Sequence, residues 1–422
     1  MCPDRRDFFK MSAATLALGS IPEILAAFPM PPSTQEDIKQ LKPMTADVKP
    51  ITAEEYLERQ ERAKRYMHEA KIDALFIAGG SSLRYFAGME WGGSERTFGF
   101  ILPVKGDVAW VTPRFERERA EEQIRFGKDI RSWQEDESPY ALIARVLKDR
   151  GIVRGSLGIE EQVRFFQSDG IAKAAPALRL VACSQGVTAR CRSQKTKHEL
   201  ELMTLANQIT WKAYEVALKN LREGMTQAEL SASVAAAHRA LGVNGGASAQ
   251  FGENSAFPHG SLIPRKLKEG DVVMIDGGCR VEGYSSDITR TTVFGKPSDK
   301  QKKVWSIVHQ AQQAALKTAK PGIPAENVDA AARQVITDAG YGPGYKYFTH
   351  RLGHGIGLDG HEWYYLVKGN RRPLEAGMTF SDEPGIYIYG EFGIRLEDCM
   401  YITDDGAKLF TPPSPAIDRP FV

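Results

Sequence analysis

The first part of the chain alternates between helical and strand patterns of hydrophobic and polar positions. Apolar side chains recur at helical spacing through residues 53–70, and Thr52 just before them is a good N-cap. A continuous apolar run at 73–79 then predicts a buried strand. Further strands are predicted at 97–104, 107–113, 156–159 and 178–182, and further helices at about 115–126 and 139–150. This alternation predicts an α/β domain over residues 51–191.

A polar, basic stretch that begins near Arg192 opens a second series of elements. It leads into a long helix with apolar residues at helical spacing across 193–221. Beyond it we predict helices at about 226–241, 299–319 and 325–339, and strands at about 247–251, 271–276 and 283–294 and then to the end of the chain. Helices and antiparallel strands in one unit predict an α+β domain over residues 192–422.

The residues before the first domain carry little of either pattern. Arg5 and Arg6 precede a mild apolar run rich in Ala and Leu, so residues 1–27 resemble a twin-arginine export signal and predict a periplasmic or secreted protein. The proline-rich stretch 28–50 is then expected to be a linker. No later apolar stretch approaches the roughly 20 residues of a membrane helix, so no stable membrane insertion is expected.

Composition argues against several other classes of protein. The formal net charge is +2 and no block of Lys and Arg is interleaved with aromatic residues, so we expect no nucleic-acid partner. The cysteines form no CxxC pair, which leaves a zinc finger or a thioredoxin-like site without support. Their spacing does not predict whether any of them form disulfides.

Candidate chemistry begins with the run HRLGHGIGLDGHEWYY at 350–365, which contains His350, His354 and His361. The first two histidines have the spacing of a metal-binding pair on one helix face. Each glycine around them would cost a helix roughly 1 kcal/mol, and the Glu of an HExxH motif is missing. The run is therefore expected to be strand and loop, either as a turn with exposed histidines or as part of a functional site.

Acidic residues that could complete such a site lie on the predicted strands. Asp276 ends an apolar strand and Asp287 lies on the next one, so a turn near Glu282 and Gly283 would bring their carboxylates alongside each other. The motif DEPGIY offers Glu383. Each of these acids alone could equally be a solvated residue at a strand end, and only their combination indicates a site.

A fourth acid, Glu397, lies in the motif GIRLED. Strand alternation places it on the same face as Arg395 and on the opposite face from Asp398, so only one acid of that pair is expected to point inward. Buried carboxylates must be paired or bind metal, and Arg395 alone cannot balance four of them. Two divalent cations would balance them, with neutral His354 as a nitrogen donor.

In this order, the motifs DGG…SSDITRT, HRLGHGIGL…HE, DEPGIY and GIRLED resemble the metallopeptidases of the pita-bread fold, in the branch of Xaa-Pro aminopeptidases and prolidases. The resemblance covers the chain from about residue 195, and the first domain is similar to a creatinase-type N-terminal domain. It implies two metal ions, with Mn²⁺ favoured and Co²⁺ or Zn²⁺ as alternatives. The implied metal ligands are Asp276, Asp287, His354, Glu383 and Glu397.

The resemblance also implies how the ligands divide between the two ions. Asp287 and Glu397 would bridge both ions, Asp276 would hold one, and His354 with Glu383 would hold the other. The ions would share a water and lower its pKa far enough to supply hydroxide near neutral pH. Glu383 is the residue expected to shuttle the proton.

Three further histidines and an arginine complete the implied site. The substrate-side histidines of the family correspond to His259, His350 and His361. Of these, His361 and His259 are expected to donate hydrogen bonds to the tetrahedral oxyanion. Arg395 is expected to orient Asp276 and Tyr387.

The function implied by the resemblance is hydrolysis of the Xaa-Pro bond at the N-terminus of peptides by an Xaa-Pro aminopeptidase, with an Xaa-Pro dipeptidase (prolidase) as the alternative. Three less favoured functions are those of a creatinase-like amidinohydrolase, a lyase on the same scaffold and a non-catalytic binding module. The complete ligand set counts against the amidinohydrolase and the binding module. The partner is expected to be a proline-containing peptide, and the family implies a homodimer or a homotetramer.

Overall fold

The computed structural model describes residues 32–422. The predicted export signal at 1–27 lies outside the described residues. The stretch expected to be a linker is only partly irregular, because helix α1 occupies Pro32–Lys39. No helix among residues 32–422 combines the length and the apolar character needed to cross a membrane.

Helix α1, which lies within the stretch expected to be a linker, contacts the second domain. The Asp37 carboxylate accepts hydrogen bonds from Lys219 Nζ at 3.1 Å and from Asn220 Nδ2 at 2.9 Å. The apolar side chains that pack against the core here are Ile38, Leu41 and Val48. Three apolar residues this far apart form no period, so the pattern of the sequence did not reveal the contact.

The first domain is built around one mixed sheet. Its elements are α2 (Ala53–Ala70), β1 (Ala74–Ile77), α3 (Gly80–Ala87), β2 (Gly99–Pro103), β3 (Ala109–Pro113), α4 (Arg117–Gln123), β4 (Asp129–Trp133), α5 (Pro139–Asp149), β5 (Gly155–Ile159), α6 (Phe165–Ala174) and β6 (Leu178–Ala182). The six strands lie in the order β4-β3-β2-β1-β5-β6. All the predicted elements are present, including the capping box at Thr52. The pattern missed α3, β4 and α6, which are short and carry many polar or small residues.

The short helix α7 spans the predicted domain boundary, and the second domain consists of helices and antiparallel strands, as predicted. Its helices are α7 (Ala189–Ser193), α8 (Lys197–Lys219), α9 (Gln227–Ala240), α10 (Asp299–Thr318) and α11 (Ala325–Ile336). Its strands are β7 (Gly245–Phe251), β8 (Val272–Val281), β9 (Tyr284–Ser285), β10 (Ile288–Val293), β11 (Gly353–Gly355), β12 (Glu362–Leu366), β13 (Thr379–Asp382), β14 (Gly385–Ile388), β15 (Phe392–Arg395), β16 (Asp398–Ile402) and β17 (Ala407–Leu409). The helices and antiparallel sheets together form the pita-bread fold, so the predicted fold class is confirmed.

Two helix pairs cover the two sheets of the second domain. One apolar cluster joins α8 and α9 to β7 and β8, and another joins α10 and α11 to β13 and β16. The first sheet has the strand order β10-β8-β7, and the second has the order β12-β11-β13-β16-β17. An isolated bridge between Thr289 and Glu397 connects the two sheets. The inner faces of both sheets therefore meet at one place.

The hairpin of β8 and β10 places the two aspartates on one face. Asp276 lies opposite Thr289, and Asp287 lies two residues before Thr289, in the break between β9 and β10. Residues two apart on a strand share a face, so both carboxylates point the same way. Gly278 makes the break possible, because a Cβ there would lie 2.0 Å from the Ser286 carbonyl oxygen.

Candidate metal centre

Five side chains from separate segments converge where the two sheets meet. Asp276 and Asp287 come from the β8–β10 hairpin, His354 from β11, Glu383 from the residue after β13, and Glu397 from the bridge residue before β16. One ligand atom each of Asp276, Asp287 and Glu397 lie within 4.8 Å of one another, and the same holds for His354, Glu383 and Glu397. All five predicted ligands are therefore together, and His350–His354 does not form a helical metal pair because His354 lies on a strand.

Two carboxylates of this cluster, Asp287 and Glu397, are unfavourable in their ionised form when no cation lies near them. Burial, and then the charges of nearby carboxylates, raises the pKa of Asp287 and Glu397 well above the usual range. Arg395 reaches the group, with its Nη2 2.7 Å from Asp276 Oδ2 and its Nε 4.0 Å from Glu397 Oε2. A single guanidinium does not balance four carboxylates, so the donor set fits two divalent cations.

The orientation of His354 supports the same conclusion. Its Nδ1 donates to the Gly355 carbonyl oxygen at 3.0 Å, which leaves the lone pair on Nε2. Nε2 lies 3.4 Å from Glu383 Oε1 and 3.8 Å from Asp287 Oδ2. Burial lowers the pKa of His354 to about 3, so the ring is neutral at ordinary pH. A lone pair facing two carboxylates is stable when a cation lies between them.

Arg395 makes the contacts that were expected of it. Besides Asp276, its Nη1 donates to the Tyr387 hydroxyl at 2.9 Å. Its Nε donates to Thr289 Oγ1 at 3.0 Å, and this hydroxyl lies 2.9 Å from Asp276 Oδ1 and 2.6 Å from Glu397 Oε2. Arg395 and Thr289 thus hold the two carboxylates on either side of the junction between the sheets.

Glu397 and Asp398 point in opposite directions, as strand alternation predicts, and both are buried. Glu397 is 2% exposed and Asp398 is 1% exposed. Asp398 accepts a hydrogen bond from Arg290 Nη2 at 2.7 Å and another from Gln312 Nε2 at 3.1 Å. The buried Arg290 supplies the counter-charge that allows a second acid inside the protein.

His350 occupies the wall of the site, but both of its ring nitrogens already have partners. Nδ1 donates to the Arg351 carbonyl oxygen at 2.8 Å, and Nε2 lies 2.8 Å from the Tyr387 hydroxyl. Burial and the nearby Arg395 lower the pKa of His350 to about 3. In this arrangement His350 supports Tyr387 and has no free nitrogen for a substrate.

His361 and His259 are more exposed and face the same cavity. The ring of His361 stacks on His354 with centroids 3.7 Å apart, and its Nδ1 lies 3.3 Å from Arg351 Nη2. All the predicted site residues line one cavity of about 200 Å³, together with Pro258 and Arg351. A larger cavity of about 320 Å³ in the first domain has no Asp, Glu, His or Cys in its wall and therefore offers no comparable ligands.

Comparison with known proteins identifies the family. The sequence model of metallopeptidase family M24 matches residues 201–404, and that of the creatinase/prolidase N-terminal domain matches residues 59–194. The Xaa-Pro dipeptidase of Pyrococcus furiosus is 35% identical over 361 residues, which cover 84% of this chain and 97% of that protein. The chain belongs to metallopeptidase family M24. Members of this family bind divalent metal ions, and the cluster has the side chains to hold such ions.

Solved structures resemble the M24 peptidase over both domains. The dipeptidase PepE from Mycobacterium ulcerans superimposes with a TM-score of 0.80 at 33% identity, covering 86% of this chain and 97% of that one. The X-Pro aminopeptidase from Thermotoga maritima superimposes with a TM-score of 0.70 at 30% identity, covering 83% and 98%. The predicted domain boundary near Arg192 lies two residues before the end of the N-terminal match at residue 194, and it stays a prediction.

Sequence reasoning missed several residues of this M24 site. Thr289 contacts two of the acidic ligands, and Ser381 Oγ donates to Glu383 Oε1 at 3.1 Å while accepting from the His354 backbone N–H at 3.0 Å. Arg351 lines the cavity beside His361. Thr289 could have been found from its position opposite Asp276 in the hairpin. The sequence carries no comparable signal for the other two.

Proposed function

We propose that this M24 metallopeptidase is an Xaa-Pro dipeptidase that uses two metal ions. The observation that carries the proposal is the combination of five converging ligands with a cavity of only about 200 Å³. This is small beside the roughly 300–1,000 Å³ of pockets that take drug-sized ligands, and it suits a substrate of very few residues. The Pyrococcus relative and the Mycobacterium structure carry dipeptidase names, so the alternative is supported better than the Xaa-Pro aminopeptidase first expected.

Each group of side chains has its own role in the proposed reaction. Asp276, Asp287, His354, Glu383 and Glu397 hold the cations. When bound, such ions lower the pKa of water and polarise a carbonyl. Glu383 transfers the proton to the leaving nitrogen, which in an Xaa-Pro bond departs as a secondary amine. His361 and His259 donate hydrogen bonds to the developing oxyanion.

Manganese is the proposed physiological metal. Four carboxylates and one imidazole form an oxygen-rich donor set without thiolate, which suits Mn²⁺. Cobalt and zinc are the alternatives, since a site of this type binds later divalent ions more tightly by intrinsic affinity.

The substrate test compares peptides of two lengths. Enzyme stripped with a chelator and reloaded with Mn²⁺, Co²⁺ or Zn²⁺ would be given Xaa-Pro dipeptides and Xaa-Pro-Yaa tripeptides. We expect kcat/KM for the dipeptide to exceed that for the tripeptide, with Mn²⁺ giving the highest turnover. A preference for longer peptides would assign an Xaa-Pro aminopeptidase, and activity without any metal would contradict the dinuclear centre.

Export through the twin-arginine route and assembly into a homodimer or homotetramer are part of the same proposal. The export proposal rests on Arg5 and Arg6 before an apolar run. Replacing both by Lys should leave active enzyme inside the cell, measured by activity in cell fractions. Unchanged export of the variant would contradict the proposed twin-arginine signal. Light scattering of the purified enzyme would test whether it is a dimer or a tetramer.

A further inference from the structure

A cluster of four charged side chains lies at the junction of the two domains, outside the metal centre. Arg192 and Lys195 follow the first domain in the chain, and Asp359 and Glu362 belong to the segment that carries His361. We call residues 357–363 the His361 loop. Two cations and two anions balance one another, and the side chains of Arg192, Lys195 and Glu362 are each no more than 5% exposed.

Asp359 and Glu362, the two acids of the cluster, lie on either side of His361 in the sequence, and both accept a hydrogen bond from Arg192. Arg192 Nη2 donates to Asp359 Oδ2 at 2.6 Å and to Glu362 Oε1 at 2.5 Å. Lys195 Nζ donates to the other oxygen of Glu362 at 3.0 Å. The Asp359 backbone N–H also donates to Glu362 Oε1 at 3.2 Å, which closes the loop around His361.

The first domain holds the same loop on both sides of His361. Before it, the Ser81 hydroxyl of α3 donates to Asp359 Oδ1 at 2.5 Å. After it, Trp363 Nε1 donates to Glu161 Oε2 at 2.6 Å. The side chain of His361 is itself exposed to the cavity, so its place depends on the backbone that these contacts fix.

Gly357 shows how closely the cluster packs against the loop. A Cβ at this position would lie 2.7 Å from Glu362 Oε2 and 2.8 Å from Lys195 Cε. Burial alone would raise the pKa of Glu362. The charges and hydrogen bonds of Arg192 and Lys195 outweigh this effect and lower that pKa to about 2, so the carboxylate stays ionised. The contacts are therefore present throughout the pH range in which a peptidase of this kind operates.

We propose that the buried cluster of Arg192, Lys195, Asp359 and Glu362, at the junction of the two domains, positions His361 for catalysis. This inference rests on the role proposed for His361 in the peptidase reaction. A displacement of about 1 Å at a catalytic group costs up to about 10²-fold in rate, so loss of these contacts lowers turnover without removing a ligand of the metals.

The main test is a double-mutant cycle between Arg192 and His361. We expect Arg192→Gln to lower kcat by about 10- to 100-fold with unchanged metal content and little change in KM. In the His361→Ala background the same substitution should have almost no further effect on kcat, because the group that it positions is gone. Additive losses would overturn the proposal, since they would mean that Arg192 acts on the whole fold.

Matched variants separate positioning from general damage. Arg192→Lys should recover part of kcat, and Ser81→Ala gives a milder variant that leaves all four charges in place. Arg190→Gln is the control, because Arg190 lies on the same helix but binds Glu69 of α2. The kcat of Arg190→Gln should equal that of the wild type. A loss of kcat as large as that of Arg192→Gln would contradict a specific effect of Arg192 on His361.

Hydrogen exchange makes the test independent of the substrate. Amide exchange in residues 357–363 of the full-length, metal-loaded enzyme should accelerate in Arg192→Gln and in Ser81→Ala but not in Arg190→Gln. Unchanged exchange of the loop in Arg192→Gln would refute the positioning. Failure of the wild type to cleave any Xaa-Pro peptide would refute the proposed function, while the exchange result would still decide what holds the loop.

Discussion

Asp287 and Glu397 form a metal site only through their neighbours. Burial, and then the nearby carboxylates, raises the pKa of both acids, so each needs cations in order to stay ionised. Asp398, the next residue along the chain, is equally buried but has Arg290 beside it at 2.7 Å. Asp398 therefore has a cation of the protein itself beside it, whereas Asp287 and Glu397 fit a site for metal ions.

The first prediction at this scale concerns Asp287 and Glu397, the two acids expected to bridge the metal ions. Asp287→Ala or Glu397→Ala should abolish hydrolysis and lower the metal content below two ions per chain, because a shared ligand supports both ions. Elemental analysis and peptide hydrolysis measure the two effects. Asp398→Asn is the control and should keep its metal at some cost in stability. Two ions and near-normal activity in Asp287→Ala would show that the metal assignment is incorrect.

The second concerns His361, whose ring nitrogen lies close enough to His354 and Asp287 to be a ligand itself. We expect His361→Ala to keep both ions and to lower kcat by about 10²–10³, the usual cost of losing one oxyanion donor. His309→Ala, with a ring that stacks on Trp305, is the control for removal of an imidazole elsewhere. Loss of an ion from His361→Ala would make His361 a ligand.

At the scale of the elements, α8 and α9 enclose a histidine that takes no part in the metal site. His238 of α9 lies 3.0 Å from the Val234 carbonyl oxygen through Nδ1 and 3.2 Å from Thr210 Oγ1 of α8 through Nε2. Burial lowers its pKa from 6.5 to about 4. The packing of the two helices therefore depends on a neutral imidazole.

This burial predicts a loss of stability in mild acid. The unfolded chain binds a proton at His238 below pH 6.5, whereas the folded protein does so only near pH 4, so stability falls as pH decreases through this window. The contribution lost is at most about 3 kcal/mol. Denaturant midpoints at several pH values would show a flatter profile for His238→Gln than for the wild type. Identical profiles would mean that His238 does not titrate on unfolding.

At the scale of the whole molecule, the metal centre joins parts that the chain keeps far apart. The ligands come from both sheets of the second domain, and the first domain holds the His361 loop through Ser81 and Glu161. Four of the five cysteines lie among the described residues, where they are free and buried. Among the described residues, no disulfide therefore joins these parts.

Metal removal should change how stability depends on pH. Without cations, burial raises the pKa of Glu383 from 4.5 to about 7, so the stripped protein loses stability as pH rises between these values. The loaded enzyme should show no such loss, because its carboxylates are neutralised by the metals. Thermal midpoints of both forms at pH 5 and pH 8 test this. If the thermal midpoints of both forms depended on pH in the same way, the cations would bind at another site.

The sequence alone predicted most of the local elements and the five residues that converge at the cluster. Periodicity and capping located α2, α8 and the β8–β10 hairpin, because each depends on contacts between residues close in the chain. The ordered motifs named all five residues that converge in the structure. Position in a motif is a local property and can be seen without the fold.

Only the tertiary structure decided which partners those residues meet. Arg290 beside Asp398, Tyr387 beside His350, and Ser81 beside Asp359 are more than 30 residues apart in the chain, and no period or motif connects them. Helix α1 likewise gains its contacts from α8 and not from its own pattern. Charge compensation and positioning act through space, so they are fixed when the two sheets and the two domains pack together.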